Sequence, residues 1–301
     1  ALVANLAIAV AKFVGFLFTG AASLLAESIH SVADTGNQGL LILGRARSHR
    51  QADEHHPFGY GRVRYFWAFV VALVLFSLGG VFAIYEGIDK LRHSHKVDSL
   101  GWAIAILVFS MCLEGFSFRT AIREARPTKG DDSWFEFIRH AKSPELPVVL
   151  LEDFAALLGL CFALAGVVLA ATTGHPSFDA VGSLAIGVLL VIVAGVLAWE
   201  MSSLLLGEGA SPAEVQAICH ALETGPDVNR VIHMRTEHLG PDELLIAAKV
   251  EFRRGLTVPQ LADAIDAAEA RVRAVVPERC LIYLEPDLFD QSKVEPAEVS
   301  S

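Results

Sequence analysis

Apolar residues gather along the chain into six long runs, approximately Leu2 to Thr19, Ser23 to Leu43, Tyr65 to Ile88, Leu100 to Phe118, Pro147 to Ala171 and Phe178 to Leu206, divided by Gly, Pro, Arg or polar breaks. Each approaches the roughly 20 residues that a helix needs to cross a hydrocarbon layer of about 30 Å, where only helices and closed barrels satisfy their own backbone. The pattern predicts six transmembrane helices, an even number that places both termini on one side. Beyond Gly209 the composition changes to that of a water-facing domain. Ser211-Pro212-Ala213-Glu214 reads as a helix start, with Ser as N-cap and Pro in the first helical position. A helix over Pro212–Glu223, a strand over Asn229–Glu237, a turn at Gly240-Pro241, a strand over Leu244–Arg253, a helix over Val258–Val275 and a strand over Arg279–Glu285 are predicted in turn. This α-β-β-α-β order defines a small α+β domain with helices on one face. The expected division is a transmembrane domain over 1–208, a cytoplasmic α+β domain over 209–290 and a disordered tail over 291–301, where little can be buried.

Charge orients the helices, because short cytoplasmic loops collect Lys and Arg. The second loop carries Arg45, Arg47, Arg50, Arg62 and Arg64, and the fourth carries Arg119, Arg123, Arg126, Lys129, Arg139 and Lys142. The first and fifth carry none, and the third has Lys90, Arg92 and Lys96 near its ends. Both termini are therefore expected in the cytoplasm. The expected location is a bacterial inner membrane, with a mitochondrial membrane as the alternative. The chain opens at Ala1 inside an apolar run and without Met, so its N-terminus is expected to be trimmed.

Composition agrees with a lipid environment: of 301 residues, 53% are hydrophobic and 19% charged, with a mean hydropathy of +0.47. A net charge of -10 without a basic block argues against a nucleic-acid partner. The four cysteines, Cys112, Cys161, Cys219 and Cys280, form no C-x-x-C pair and read as buried thiols. Neither H-E-x-x-H nor a phosphate-binding G-x-x-x-x-G-K-[ST] occurs, so neither an intramembrane metalloprotease nor an ATP-driven pump is expected, and no enzyme is expected.

Ionisable groups at membrane depth carry the candidate chemistry, because each is costly unless it has a partner or a task. In the second helix Glu27, His30 and Asp34 share one face, with His30 and Asp34 one turn apart. In the fifth, Glu152-Asp153 interrupts an apolar stretch. Imidazole with carboxylates suits a divalent first-row metal, with zinc, manganese, iron and cobalt open, whereas the lack of thiolates disfavours copper(I). Hydrogen bonding between His30 and Asp34 as packing glue is the alternative. Gly15, Gly20, Gly159 and Gly166 are expected to permit close helix contact.

Ala26-Glu-Ser-Ile-His-Ser-Val-Ala-Asp34, His56-Pro-Phe-Gly-Tyr-Gly-Arg62 and Asp153 together resemble the cation diffusion facilitator family, as does the six-helix topology followed by a small α+β domain. The phrase Val148-Val-Leu-Leu-Glu-Asp-Phe-Ala-Ala-Leu157 resembles the branch of the ninth human zinc transporter. The resemblance implies a homodimeric antiporter that expels divalent cations, zinc first, in exchange for protons, with no prosthetic group. It implies metal ligands at His30, Asp34 and Asp153. The family commonly has another ligand four residues before the last of these, where this chain has Val149; Glu152 is the candidate replacement, although it points about 100° away from Asp153 on an ideal helix.

Asp53 and His56 match a metal-recruiting loop, with Tyr60 standing where similar proteins have His. In the C-terminal domain His233 and Glu285 match, but Lys249 and Tyr283 replace ligands, so no binuclear metal site is expected between protomers. Asn5, Asn37, Glu114 and Asp179 are further candidates for lining the route, Glu114 with an ion pair to Arg119 as the plainer expectation. Arg62 and Glu208 resemble by position a charge pair that joins the third helix to the soluble domain. A non-transporting membrane metal sensor or scaffold is the competing class.

Overall fold

Polar residues recur along the second helix at every turn while its other faces stay apolar, and this asymmetry decides how the helical part assembles. In the computed structural model, which describes residues 2–20, 22–93, 100–131 and 133–290, the chain forms two units. One is built on the residues up to Arg50 together with Val63–Ser202, the other on Gln51–Arg62 with the chain from Ser203. The expected tail at 291–301, Lys96 and the Asn5 side chain lie outside the described residues.

The helical unit contains α1 (Leu2–Thr19), α2 (Ala22–Ser48), α3 (Val63–Val74), α4 (Phe82–Arg92), α5 (Leu100–Lys129), α6 (Trp134–His140), α7 (Glu145–Thr173) and α8 (Ser177–Leu206). A π-helical stretch, Leu75–Val81, joins α3 to α4 in one continuous rod. Among the described residues four helices are long and apolar enough to cross a membrane: Val63–Arg92, Gly101–Lys129, Glu145–Thr173 and Ser177–Leu206. The chain is an integral, multi-pass membrane protein with a C-terminal α+β domain. Large apolar side chains such as Phe109, Phe116, Ile192 and Trp199 face outward from these helices, as a lipid solvent allows.

Two stretches read as loop are helical. The helix α5 continues eleven residues past the end of its apolar run, carrying Arg119, Arg123, Arg126 and Lys129 on good helix-forming sequence. Ser133 and Glu136 then form a reciprocal capping box that starts α6. Phe137 of α6 and Ala121 and Ala125 of α5 pack with Leu150 of α7, and Val149 joins this apolar cluster.

Helix α2 lies at the centre of the unit, against α1, α3 with the π-helical stretch, α4 and α7, while α5 packs on α1 and α7. The Ser28 hydroxyl donates to the Ala9 carbonyl at 3.1 Å, tying α2 to α1, and Arg64 of α3 reaches Glu145 of α7 at 2.7 Å. Among the glycines named from the sequence, Gly15, Gly159 and Gly166 sit where a Cβ would meet Ile106, Glu27 and the Phe178 carbonyl. Gly20 does not serve that purpose: with φ of 64° it closes the end of α1, a conformation that costs glycine least.

The second unit holds α9 (Pro212–Glu223), β1 (Val228–Gly240), β2 (Glu243–Phe252), α10 (Val258–Val275) and β3 (Arg279–Pro286). Ser211 caps α9 in a capping box with Glu214. The sheet order is β1-β2-β3, antiparallel then parallel, because the short turn after Gly240 makes a hairpin while α10 provides the crossover to β3. Leu244, Ile246, Ala248 and Val250, alternate residues of β2, pack with Ile282 of β3 against Ile218 and Leu222 of α9 and Ala268 and Val272 of α10. The strand period of two therefore sends Lys249 to the opposite face, in a cross-strand row with His233 and Glu285.

Candidate functional site

Glu27, His30, Ser31, Asp34 and Asn37 recur at helical spacing along α2 and are all buried. Each meets a polar group from a neighbouring helix or is left without one. Lys12, the charge that interrupts the apolar α1, places Nζ 3.1 Å from Glu27 Oε2, 2.8 Å from Ser31 Oγ and 3.5 Å from Glu114 Oε1 of α5. Glu114 thus pairs with Lys12 and not, as expected, with Arg119, because α1 and α5 are in contact at that level.

His30 Nδ1 lies 3.4 Å from Asp34 Oδ1 in an orientation that makes no hydrogen bond. Both ring nitrogens of His30 and Asp34 Oδ1 are buried without hydrogen-bond partners. The π-helical stretch faces them: a Cβ at Gly79 would lie 3.8 Å from His30 Nδ1. Stretches of this kind interrupt α-helices frequently at functional sites.

From α7, Glu152 faces Asp34 carboxyl to carboxyl and accepts from Asn37 Nδ2 at 2.7 Å. Asp153, one residue on, turns to α5 and accepts from the Ser117 hydroxyl at 2.9 Å. The 100° between successive helical residues thus assigns the two acids to different neighbours. Val149, on the same side of α7 as Asp153, is packed among apolar groups of α5 and α6. The structure brings His30 and Asp34 together with Glu152, and holds Asp153 against α5. No set of three His, Cys, Asp or Glu side chains is drawn into ligating geometry among the described residues.

Lys12 escaped the sequence reading, although its signal was present: one ammonium at the depth of an otherwise apolar helix. Asn37 holds a candidate acid directly. Asp179 belongs elsewhere, in the first turn of α8 beside Glu86 and Lys90, where a carboxylate complements the helix dipole.

In the Gln51–Arg62 segment, Asp53 is already engaged. Its Oδ1 accepts from the His55 and His56 backbone N–H groups at 3.0 and 2.8 Å, and Oδ2 accepts from the Tyr60 hydroxyl at 2.6 Å. The Tyr60 hydrogen bond, helped by the backbone N–H of His56, pulls the Asp53 carboxyl down to about 2. The His56 and Tyr60 rings stand 4.3 Å apart. Arg62 pairs with Glu237 of β1, not with Glu208, whose backbone carbonyl instead accepts from His238 N at 2.8 Å. On the sheet, Lys249 Nζ lies 3.1 Å from Glu285 and 3.8 Å from Asp287. The hydrogen bond to Glu285 is the main cause of its raised pKa.

Buried imidazole and carboxylates on a central helix, opposed by acids from another, are costly at membrane depth unless they have a partner or a task. Residues 1–206 match the cation efflux transmembrane domain and residues 210–287 the cytoplasmic domain of cation efflux proteins. The chain belongs to the cation diffusion facilitator, or cation efflux, family, which is a family of transporters and not of enzymes.

Among particular relatives, the mouse protein named proton-coupled zinc antiporter SLC30A9, mitochondrial, is 36% identical over 244 residues, covering 80% of this chain and 43% of the relative. Metal tolerance protein C4 of Arabidopsis thaliana is 30% identical over 237 residues, 78% of this chain and 52% of the relative. A probable cation efflux system protein of Mycobacterium tuberculosis is 28% identical over 285 residues, covering 92% and 79%. The chain thus spans under half the length of the mouse relative and about half that of the plant one.

Proposed function

We propose that the protein exports a divalent metal cation, zinc first, in exchange for protons, through a site that α2 and α7 share. His30 and Asp34 supply ligands from α2, and Glu152 and Asp153 supply carboxylates from α7. The observation that carries this reading is the pair of unpartnered His30 ring nitrogens with Asp34 Oδ1, buried opposite Glu152. Such atoms are rare unless a ligand or a reaction uses them. The names of the mouse and mycobacterial relatives point the same way.

Coupling follows from ligand chemistry. A metal ion binds only deprotonated carboxylates and neutral imidazole, so loading releases protons and protonation releases metal. Movement of α7 relative to α2 would gather Asp153 to the metal on one side of the membrane and disperse the ligands on the other, which is alternating access. Asn37, donating to Glu152, orients that carboxylate. The apolar packing of Val149 supports Glu152 as the replacement for the ligand absent there.

In this reading residues 1–208 form six spans, α1 and α2 completing the four more apolar helices. The domain over 209–290 joins two copies of the chain in the cytoplasm. The membrane is a bacterial inner membrane, or a mitochondrial one as in the name of the mouse relative. With Asp53 held by Tyr60 and Lys249 by Glu285, neither the loop nor the sheet is assigned a metal.

The test is flux in proteoliposomes loaded with a pH-sensitive dye, comparing Zn2+, Mn2+, Fe2+ and Co2+. Metal-dependent proton counterflow is expected. Asp34→Ala should reduce it by more than the roughly 10–100-fold that follows loss of an outer-shell partner. Absence of flux for every ion from a folded dimer overturns the reading in favour of a sensor or scaffold.

A further inference from the structure

Lys12 takes no part in the proposed ligand set, because a charged ammonium offers three N–H donors and no lone pair. It is nevertheless fully buried, and its surroundings match its chemistry. Three oxygens from two other helices surround it: Glu27 Oε2 and Ser31 Oγ accept its hydrogen bonds at 3.1 and 2.8 Å, and Glu114 Oε1 stands 3.5 Å away as an ion-pair partner. Glu27 is itself wholly buried; its second oxygen, Oε1, has no hydrogen-bond partner and lies against α7, where a Cβ at Gly159 would approach it to 2.6 Å. The carboxylate is thus confined beside the ammonium, with one oxygen still able to accept.

We propose that Glu27, Ser31 and Glu114 form a monovalent-cation site whose resident cation is the tethered Lys12 ammonium, and that this occupancy withholds two carboxylates from the divalent cargo. The first half stands on the contacts alone. The second rests on the transport reading: Glu27 lies one turn from His30 on the same face of α2, so an unoccupied Glu27–Glu114 pair would offer a divalent ion a competing resting place. With Lys12 in position, the cargo meets His30, Asp34 and the acids of α7.

Lys12→Ala tests the site by chemical rescue. Purified protein in detergent is melted in choline, sodium and methylammonium chloride at equal ionic strength. The variant should melt roughly 5 °C or more below the parent in choline, because a buried acid pair loses its counter-charge. Methylammonium or sodium should restore at least half of that loss while leaving the parent unchanged. A folded Lys12→Ala that neither cation restores overturns the site.

If Lys12→Ala does not fold, the double variant Lys12→Ala/Glu27→Gln decides. It removes one charge of each sign and should fold and ignore the added cation; its failure to fold overturns the proposal. Zinc calorimetry tests the withholding: in choline, Lys12→Ala should bind more zinc per protomer than the parent, and methylammonium should displace the excess. Unchanged zinc stoichiometry overturns that half. Absence of flux in the parent protein would end the transport reading and leave the rescue result to stand or fall by itself.

Discussion

Lys12 in the helical unit and Lys249 on the C-terminal sheet are built alike. Each ammonium lies 3.1 Å from one carboxylate, Glu27 or Glu285, with a second at 3.5 Å (Glu114) or 3.8 Å (Asp287). Their surroundings differ: the Lys12 side chain has no exposure to solvent, whereas that of Lys249 is 35% exposed. At equal separation the attraction grows several-fold as water is withdrawn, and so does the cost of leaving one partner alone. The geometry of an ion pair therefore says little about its weight until its burial is known. Lys12 is structurally obligatory once Glu27 is buried; Lys249 sits in a solvated row where water and salt can replace it.

The largest effect should come from Glu27→Leu, which removes the nearer carboxylate of the buried Lys12 ammonium and leaves it Glu114 at 3.5 Å. By analogy with broken buried pairs it should cost about 3–5 kcal/mol of stability, read as thermal unfolding in detergent. Lys12→Met and Glu114→Gln added to the same chain should recover most of it, since uncharged groups of similar volume replace buried ions at little cost. A loss below about 1 kcal/mol for Glu27→Leu would make the two lysines equivalent.

Lys249→Met should move the melting temperature by about 2 °C or less at neutral pH and moderate salt. Because the Lys249 pKa is raised by Glu285, any contribution is fully present below its unfolded value near 10.4 and fades as pH rises through the folded one. A large loss near pH 7 would contradict the solvated reading.

The smallest effect concerns an acid held by a hydroxyl and by backbone N–H groups. Tyr60→Phe removes the hydroxyl that is the main cause of the low Asp53 pKa, so its midpoint should rise from about 2 toward the ordinary range near 3.9. A depressed carboxylate stabilises its loop above the unfolded value and ceases to as pH falls through the folded one, so the variant loop should loosen earlier in acid, between about pH 4 and 2. A carbon-13 titration of the Asp53 carboxyl reads this directly, and an unchanged midpoint would remove Tyr60 as the cause.

What was legible in the chain was local. Helices α9 and α10 fall where Ser211-Pro212 and the 3.6-residue period predict them, because caps and periodicity act within a few residues. The apolar runs locate the long helices, but hydropathy marks where lipid ends and not where a helix does; α5 therefore runs on to Lys129. The spacing of Glu27, His30 and Asp34 identified the α2 face. The partners from other helices were less accessible: helical geometry separated Glu152 from Asp153, but only tertiary packing sends the first to Asn37 and the second to Ser117. Lys12 was hidden because one charge barely alters a window average. Arg62 was matched to Glu208 by its positional resemblance to a family charge pair, whereas a sheet residue, Glu237, meets it in space.

The π-helical stretch between α3 and α4 can be understood as a phase shift. One additional residue in a turn displaces everything after it by about 100° around the axis. The rod then presents one longitude before the insertion and another after it; within it a Cβ at Gly79 would meet Leu190 of α8 at 3.0 Å and His30 of α2 at 3.8 Å, while Gly80 and Gly87 lie against α8. One element, helical from Val63 to Arg92, thus offers two neighbours the same few residues at its middle.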